Sequence, residues 1–159
     1  MDWSTADLMD RRGDELASCE VQLRDFGGRT RFRGRVRTVH CLEDNVLVRT
    51  MLSAPGTGHV LVVDGGGSFR MALMGDNIAR SAVDHGWAGV VIYGCVRDTT
   101  ELTRLPIGIR ALGSNPRRSA KEGAGEVDTP VTFGGATFIP GAELYADEDG
   151  IVVTREVAG

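Results

Sequence analysis

The chain has 159 residues, of which 42% are hydrophobic and 25% charged, and a formal net charge of −4. That is enough chain for one domain, 1–159, with a real core, and the acidic balance argues against direct nucleic-acid binding, which needs a basic stripe. No stretch approaches the roughly 20 apolar residues of a membrane span, and the start, MDWSTADLMDRRGDEL, lacks the apolar run of a signal peptide, so a cytoplasmic protein without membrane contact is expected.

In chain order, Ser4 or Thr5 caps a first helix with Leu8, Met9 and Leu16 on its apolar side and Gly13 weakening it. Phe26-Gly27-Gly28-Arg29 reads as a turn, and residues 34–41 alternate loosely as a strand. Glu43-Asp44-Asn45 opens a short helix with Val46, Leu47, Met51 and Leu52 inward, stopped by Pro55-Gly56-Thr57-Gly58. Val60-Leu61-Val62-Val63 is a continuous apolar run, which fits a strand buried on both faces. A helix over 75–85 turns Ile78, Ala79, Ala82 and Val83 inward, and residues 89–94 form a second buried strand. Asp98 and Glu101 have the spacing of a capping box for the next helix. Residues 107–112 form a third strand. The polar, basic stretch 113–128, with Arg117, Arg118 and Lys121, reads as a long loop. Beyond Pro130 come four short strands with turns at Gly134-Gly135, Pro140-Gly141 and Asp147-Glu148-Asp149-Gly150. The order is α, β, then β-α-β-α-β, then a β meander, which makes an α/β fold.

Several motifs have a bland reading beside a sharper one. Val63-Asp64-Gly65-Gly66-Gly67-Ser68 follows a strand but lacks the lysine of a phosphate loop and the spacing of a dinucleotide fingerprint. It is either a tight turn or a place where a small ligand approaches the backbone. Cys19, Cys41 and Cys95 have no CxxC spacing and read as reduced, mostly buried thiols. The three histidines are scattered, so a metal here would be a hard divalent ion, magnesium or manganese, held by oxygen.

The candidate site is a spaced pair of charged elements. Gly75-Asp76-Asn77-Ile78 opens a helix whose free N–H groups and positive dipole end suit a carboxylate ligand. Arg97-Asp98, with Glu101 beyond, follows the next strand. Ligands of open α/β sheets collect outside the carboxyl ends of strands, so the two loops are expected to converge there. A carboxylate to hold a metal beside a guanidinium to face an anionic substrate makes chemical sense of the pair.

These elements, together with Gly86-Trp87-Ala88-Gly89, Pro106-Ile107-Gly108 and Tyr145-Ala146-Asp147, resemble one family from residue 4 to 153. It comprises the regulator of ribonuclease E activity A and the class II 4-hydroxy-4-methyl-2-oxoglutarate aldolases. The resemblance implies a β/β/α swivelling-domain fold and a ring-shaped homotrimer with active sites between subunits. It also implies that Arg97 and Asp98 bind the pyruvyl group and the metal, and that the amides of 75–78 hold the substrate. Members that only regulate a ribonuclease can lack the metal-ligating aspartate; this chain keeps it, which favours an enzyme. The expectation is a magnesium- or manganese-dependent lyase that releases pyruvate from small 2-oxo acids and decarboxylates oxaloacetate. Asp98 is the metal ligand, Glu101 holds metal-bound waters, and Arg97 and Asp76 are catalytic. Gly75, Asp76, Asn77, Ile78 and Arg97 bind substrate. The alternative is a non-catalytic modulator of a ribonuclease. A methyltransferase, an activity also attached to such proteins, is not expected, since the glycine loop lacks an S-adenosylmethionine pattern.

Overall fold

The computed structural model of the chain describes residues 2–158, so the two ends of the expected 1–159 unit lie outside the described residues. The apolar run at 60–63 accounts for its layering. Side chains alternate across a strand, and here Val60 and Val62 enter one cluster while Leu61 and Val63 enter another, all fully buried. Neither face is free to be polar.

The elements are α1 (Thr5–Arg12), β1 (Leu16–Ser18), β2 (Arg24–Asp25), β3 (Phe32–His40), α2 (Val46–Leu52), β4 (His59–Asp64), β5 (Ala72–Met74), α3 (Asp76–Asp84), β6 (Gly89–Val96), α4 (Thr99–Leu102), β7 (Gly108–Ser114), β8 (Glu126–Val127), β9 (Val131–Phe133), β10 (Ala136–Phe138), β11 (Glu143–Asp147) and β12 (Gly150–Thr154). The large sheet runs β1-β12-β11-β3-β4-β6-β7-β2, with β5 on β6 and β8 on β3. Strands β3, β4, β6 and β7 are parallel. The pairings of β11 with β3 and β12, and of β1 with β12, are antiparallel. On one side lies the helical layer, where Val48, Leu52, Ile78, Ala79, Ala82 and Leu102 pack on Val39, Leu61, Val90 and Ile109. On the other, the separate β9–β10 hairpin packs Phe133 and Phe138 over Val36, Val60 and Val91. This mixed β/β/α arrangement is the expected fold class.

Several local expectations are corrected. Helix α1 is capped by the Ser4 hydroxyl, which accepts from the Asp7 amide, and ends at Gly13; Leu16 is not on it but opens β1 against β12. In α2 the buried positions are Val48, Met51 and Leu52, with Val46 and Leu47 only half-buried. Asp98 precedes α4 but makes no capping bond to it, so the capping box does not form. The basic stretch is not a free loop. Arg117 O accepts from the Ala72 amide, Ala120 bridges Asp44, and β8 pairs with β3. The glycine turn closes on its neighbour, with the Gly65 and Gly67 amides donating to Tyr93 O and the Gly66 amide to Asp64 Oδ1, so it presents no amides to a ligand. Cys41 and Cys95 are buried, Cys19 is half-buried and all three are free thiols; burial, reinforced by Asp44 and Asp64, pushes the Cys41 thiol up to about 12.

Candidate functional site

Strand β5 determines where the two charged loops meet. Strand β4 pairs with β6 only as far as Tyr93, and β5 takes over alongside Cys95 and Val96. The chain leaving β5 therefore turns into α3 beside the chain leaving β6, and the Arg97 amide donates to Met74 O at 3.0 Å. The convergence expected at the carboxyl ends of the strands is present.

At the junction Asp98 adopts a left-handed backbone, φ 58° and ψ 42°. For a non-glycine residue that conformation costs about 1–2 kcal/mol, although aspartate bears it better than most. The turn directs the carboxylate away from α4 and onto the start of α3, where Oδ2 accepts from the Asp76 amide at 3.0 Å. Gly75 makes this approach possible. A Cβ there would lie 2.5 Å from Asp98 Oδ2 and 3.2 Å from Arg97 Cγ, closer than side chains tolerate. The next two amides of the first turn, Asn77 and Ile78, have no hydrogen-bond acceptor among the described residues, and the first bond of the helix runs from Ala79 N to Gly75 O. They are two open donors at a positive helix end.

Around this point lies a cleft of about 70 Å³ lined by Gly75, Asp76, Asn77, Ile78, Arg97 and Asp98, and also by Asn45, Arg49, Ala72, Met74, Arg118 and Lys121. Four cations face two carboxylates, so the cleft is positive in an acidic protein. Arg97 Nη1 donates to Pro116 O at 3.3 Å, and Lys121 Nζ to Asn45 Oδ1 at 3.1 Å. The guanidinium groups of Arg49 and Arg118 have no hydrogen-bond or ion-pair partner among the described residues. Asp76 pairs with Arg80 at 3.3 Å, and Arg80 also reaches Glu101 at 3.3 Å. Glu101 does not line the cleft; it joins Asp76 only through Arg80 and holds Arg104 on its other oxygen. Among the described residues no cluster of three or more His, Cys, Asp or Glu side chains is placed to hold a metal.

Asn45 and Arg49 escaped sequence reasoning. Asn45 precedes α2 and Arg49 lies in its last turn; the segment reads as a packing helix, and the one available signal was their four-residue spacing, which puts them on one helix face. Lys121 and Arg118 were visible as a basic cluster, without a location.

The comparisons identify the family and the fold. The family model RraA-like, described as Aldolase/RraA, matches residues 5–153. The RNA-processing inhibitor RraA from Thermus thermophilis is 51% identical, with 100% of this chain and 96% of that one covered and a TM-score of 0.95. A structure from Geobacillus kaustophilus named S-adenosylmethionine:2-dimethylmenaquinone methyltransferase is 49% identical, covering 97% and 96% of the two chains, with a TM-score of 0.95. Streptomyces coelicolor RraAS2, described as an unusual member of the RNase ES inhibitor RraA family, is 26% identical over 94% of this chain and 77% of that one, with a TM-score of 0.74. Among the described residues, no helix is long and apolar enough to cross a membrane.

Proposed function

The chain belongs to the RraA-like family, and from that premise we propose that it is a divalent-metal-dependent lyase of the cytoplasm. It cleaves 4-hydroxy-2-oxo di- or tricarboxylic acids to pyruvate and decarboxylates oxaloacetate. One observation carries the reading: two open amides, a guanidinium and a carboxylate share one small positive cleft at the carboxyl ends of β5 and β6.

The donor set fits a hard cation of the magnesium or manganese kind, which keeps several waters and needs only one or two protein carboxylates. Asp98 uses one oxygen on the Asp76 amide, which fixes its orientation and leaves Oδ1 to hold the ion. When bound, the ion supplies Lewis acidity at the substrate carbonyl. The amides of Asn77 and Ile78 accept the substrate carboxylate. Arg97 stabilises the enolate oxygen as charge develops there, while Pro116 O holds its guanidinium in the cleft. Asp76 orients the water that takes the proton from the substrate hydroxyl. Glu101 acts at one remove, anchoring the Arg80 that pairs with Asp76. Arg49, Arg118 and Lys121 give the far carboxylate of a dicarboxylic substrate a positive wall.

The test is pyruvate release from oxaloacetate with magnesium, before and after a chelator. Turnover that the chelator abolishes and magnesium restores is expected; no turnover with any divalent ion would overturn the reading. The 51% identity to an RNA-processing inhibitor favours a second reading, a protein that binds and restrains a ribonuclease. Retained binding to a ribonuclease by a chain with no lyase activity would select it. The active form is a homotrimer with sites between subunits, as closed cyclic assembly allows. Light scattering is expected to give about three chain masses, and a single-chain mass at all micromolar concentrations would remove the trimer.

A further inference from the structure

Asp44 is 2% exposed and lies outside the cleft, yet it carries more hydrogen bonds than any carboxylate in it. Its Oδ2 accepts from the amides of Glu122 (2.7 Å), Gly123 (3.0 Å) and Ala124 (3.4 Å). Its Oδ1 accepts from the amides of Val46 (3.1 Å) and Gly123 (3.2 Å). One carboxylate thus ties the start of α2 to the strap 118–124. The strap is also fastened at its other end by backbone. Ala120 N donates to Glu43 O at 2.9 Å, and Ala120 O accepts from Asn45 N at 3.3 Å. Beyond it, Gly125 at φ 131° passes so close to His40 O that a Cβ would lie 2.2 Å from it.

What the strap carries explains why so much hydrogen bonding converges on one side chain. Arg118 and Lys121 are the two cleft cations on the strap; Arg97 also lies outside a regular element, but its amide is fixed on Met74 O. Asn45, next to Asp44, takes the Lys121 ammonium at 3.1 Å. Buried polar groups are costly unless paired, and charge-assisted bonds to a carboxylate are roughly twice as strong as neutral ones. A neutral side chain therefore cannot hold the strap as tightly.

We propose that Asp44 is a positioning residue, which clamps the 118–124 strap so that Arg118 and Lys121 face the far carboxylate of a dicarboxylic acid bound in the cleft. The proposal rests on reading the cleft as a carboxylate site, and deepens it by assigning discrimination between one- and two-carboxylate ligands to a buried group. Asp44→Asn is the natural variant. It keeps the size of the side chain but turns an NH₂ group toward amides that are themselves donors.

The experiment measures binding of succinate and of pyruvate by calorimetry, with amide hydrogen exchange as a second readout. In Asp44→Asn the succinate Kd is expected to rise at least about fivefold, the pyruvate Kd less than about twofold, and the amides of 122–124 to exchange faster. In an Arg118→Ala/Lys121→Ala background the same change is expected to move the succinate Kd less than about twofold, because the two effects act through one wall. A purely structural role weakens both ligands alike and adds to the background, and either result overturns the proposal. So does a wild-type protein that does not bind succinate. If Asp44→Asn fails to fold, Gly123→Ala strains the strap at φ 85° with only Val46 Cγ1 near, at 3.8 Å, and the same signature is required of it. Succinate binding that depends on Asp44, in a protein that releases no pyruvate from oxaloacetate, would reject the lyase and keep the clamp.

Discussion

The two walls of the cleft are built on opposite terms. On the β6–α3 wall, Asp98 is exposed, takes one backbone amide and holds a left-handed backbone, and the neighbouring Asn77 and Ile78 amides are left open. On the strap wall, Asp44 is buried and takes four amides. Strain and unused donors gather where a ligand must be met; satisfied polar groups gather where a segment must stay put. On the proposed reading the same residue type serves chemistry at one edge and architecture at the other, and substitutions in the two walls should separate accordingly.

The largest expected effect is on the open wall. Asp98→Asn should abolish turnover, by about a hundredfold or more at limiting magnesium, with the thermal midpoint nearly unchanged, because on the proposed reading a hard cation would lose its anionic ligand. Near wild-type turnover of the purified variant would remove Asp98 as the ligand. Arg97→Lys comes next. It keeps the charge and loses the planar fork, and kcat should fall at least about tenfold, or about 1.4 kcal/mol. A rise in KM with kcat intact would move Arg97 from transition-state stabilisation to uniform binding.

The smallest effect belongs to the satisfied carboxylates and shows in stability. Burial opposes ionisation of Asp44, but the amides of Val46, Glu122, Gly123 and Ala124 outweigh it and hold the carboxyl below its usual value. Asp147 is similar: burial is outweighed by the Thr5 hydroxyl and amide, the Asp149 amide and the charge of Arg31. Both folded pKa values are depressed, so their stabilisation is complete above the unfolded value of about 3.9 and is lost as pH falls through the folded values. Urea unfolding from about pH 6 to about pH 3 should show stability falling at the acid end. Asp147→Asn should flatten that fall, and an unchanged acid limb would show that other groups set it.

The parallel core was legible because Val60-Leu61-Val62-Val63 and Val90-Val91-Ile92 leave no polar face, and glycines bound each run. The expected cleft residues 75–78, 97 and 98 do come together. What escaped notice depended on long-range partners. Three residues, 72–74, carry too little alternation to announce a strand, and only the end of β4 makes room for β5 on β6. Asp44 looked like a helix opener, because four amides from 46 and 122–124 leave no local trace in sequence. Glu101 had capping spacing, but the left-handed Asp98 turned its carboxylate elsewhere.

The strand order also sets a timetable. One edge of β3 is covered by β11, and β1 finds its partner only in β12. During synthesis β3 therefore waits for roughly 100 residues before that edge is sealed, about 5–20 s at the usual rate of elongation. Until then the nascent chain presents an unpaired strand edge, a template for wrong pairing with another chain. Arg33 and Arg35, two exposed cations within β3, stand on the strand that waits, and charged side chains are one of the ways an open edge is kept from such pairing.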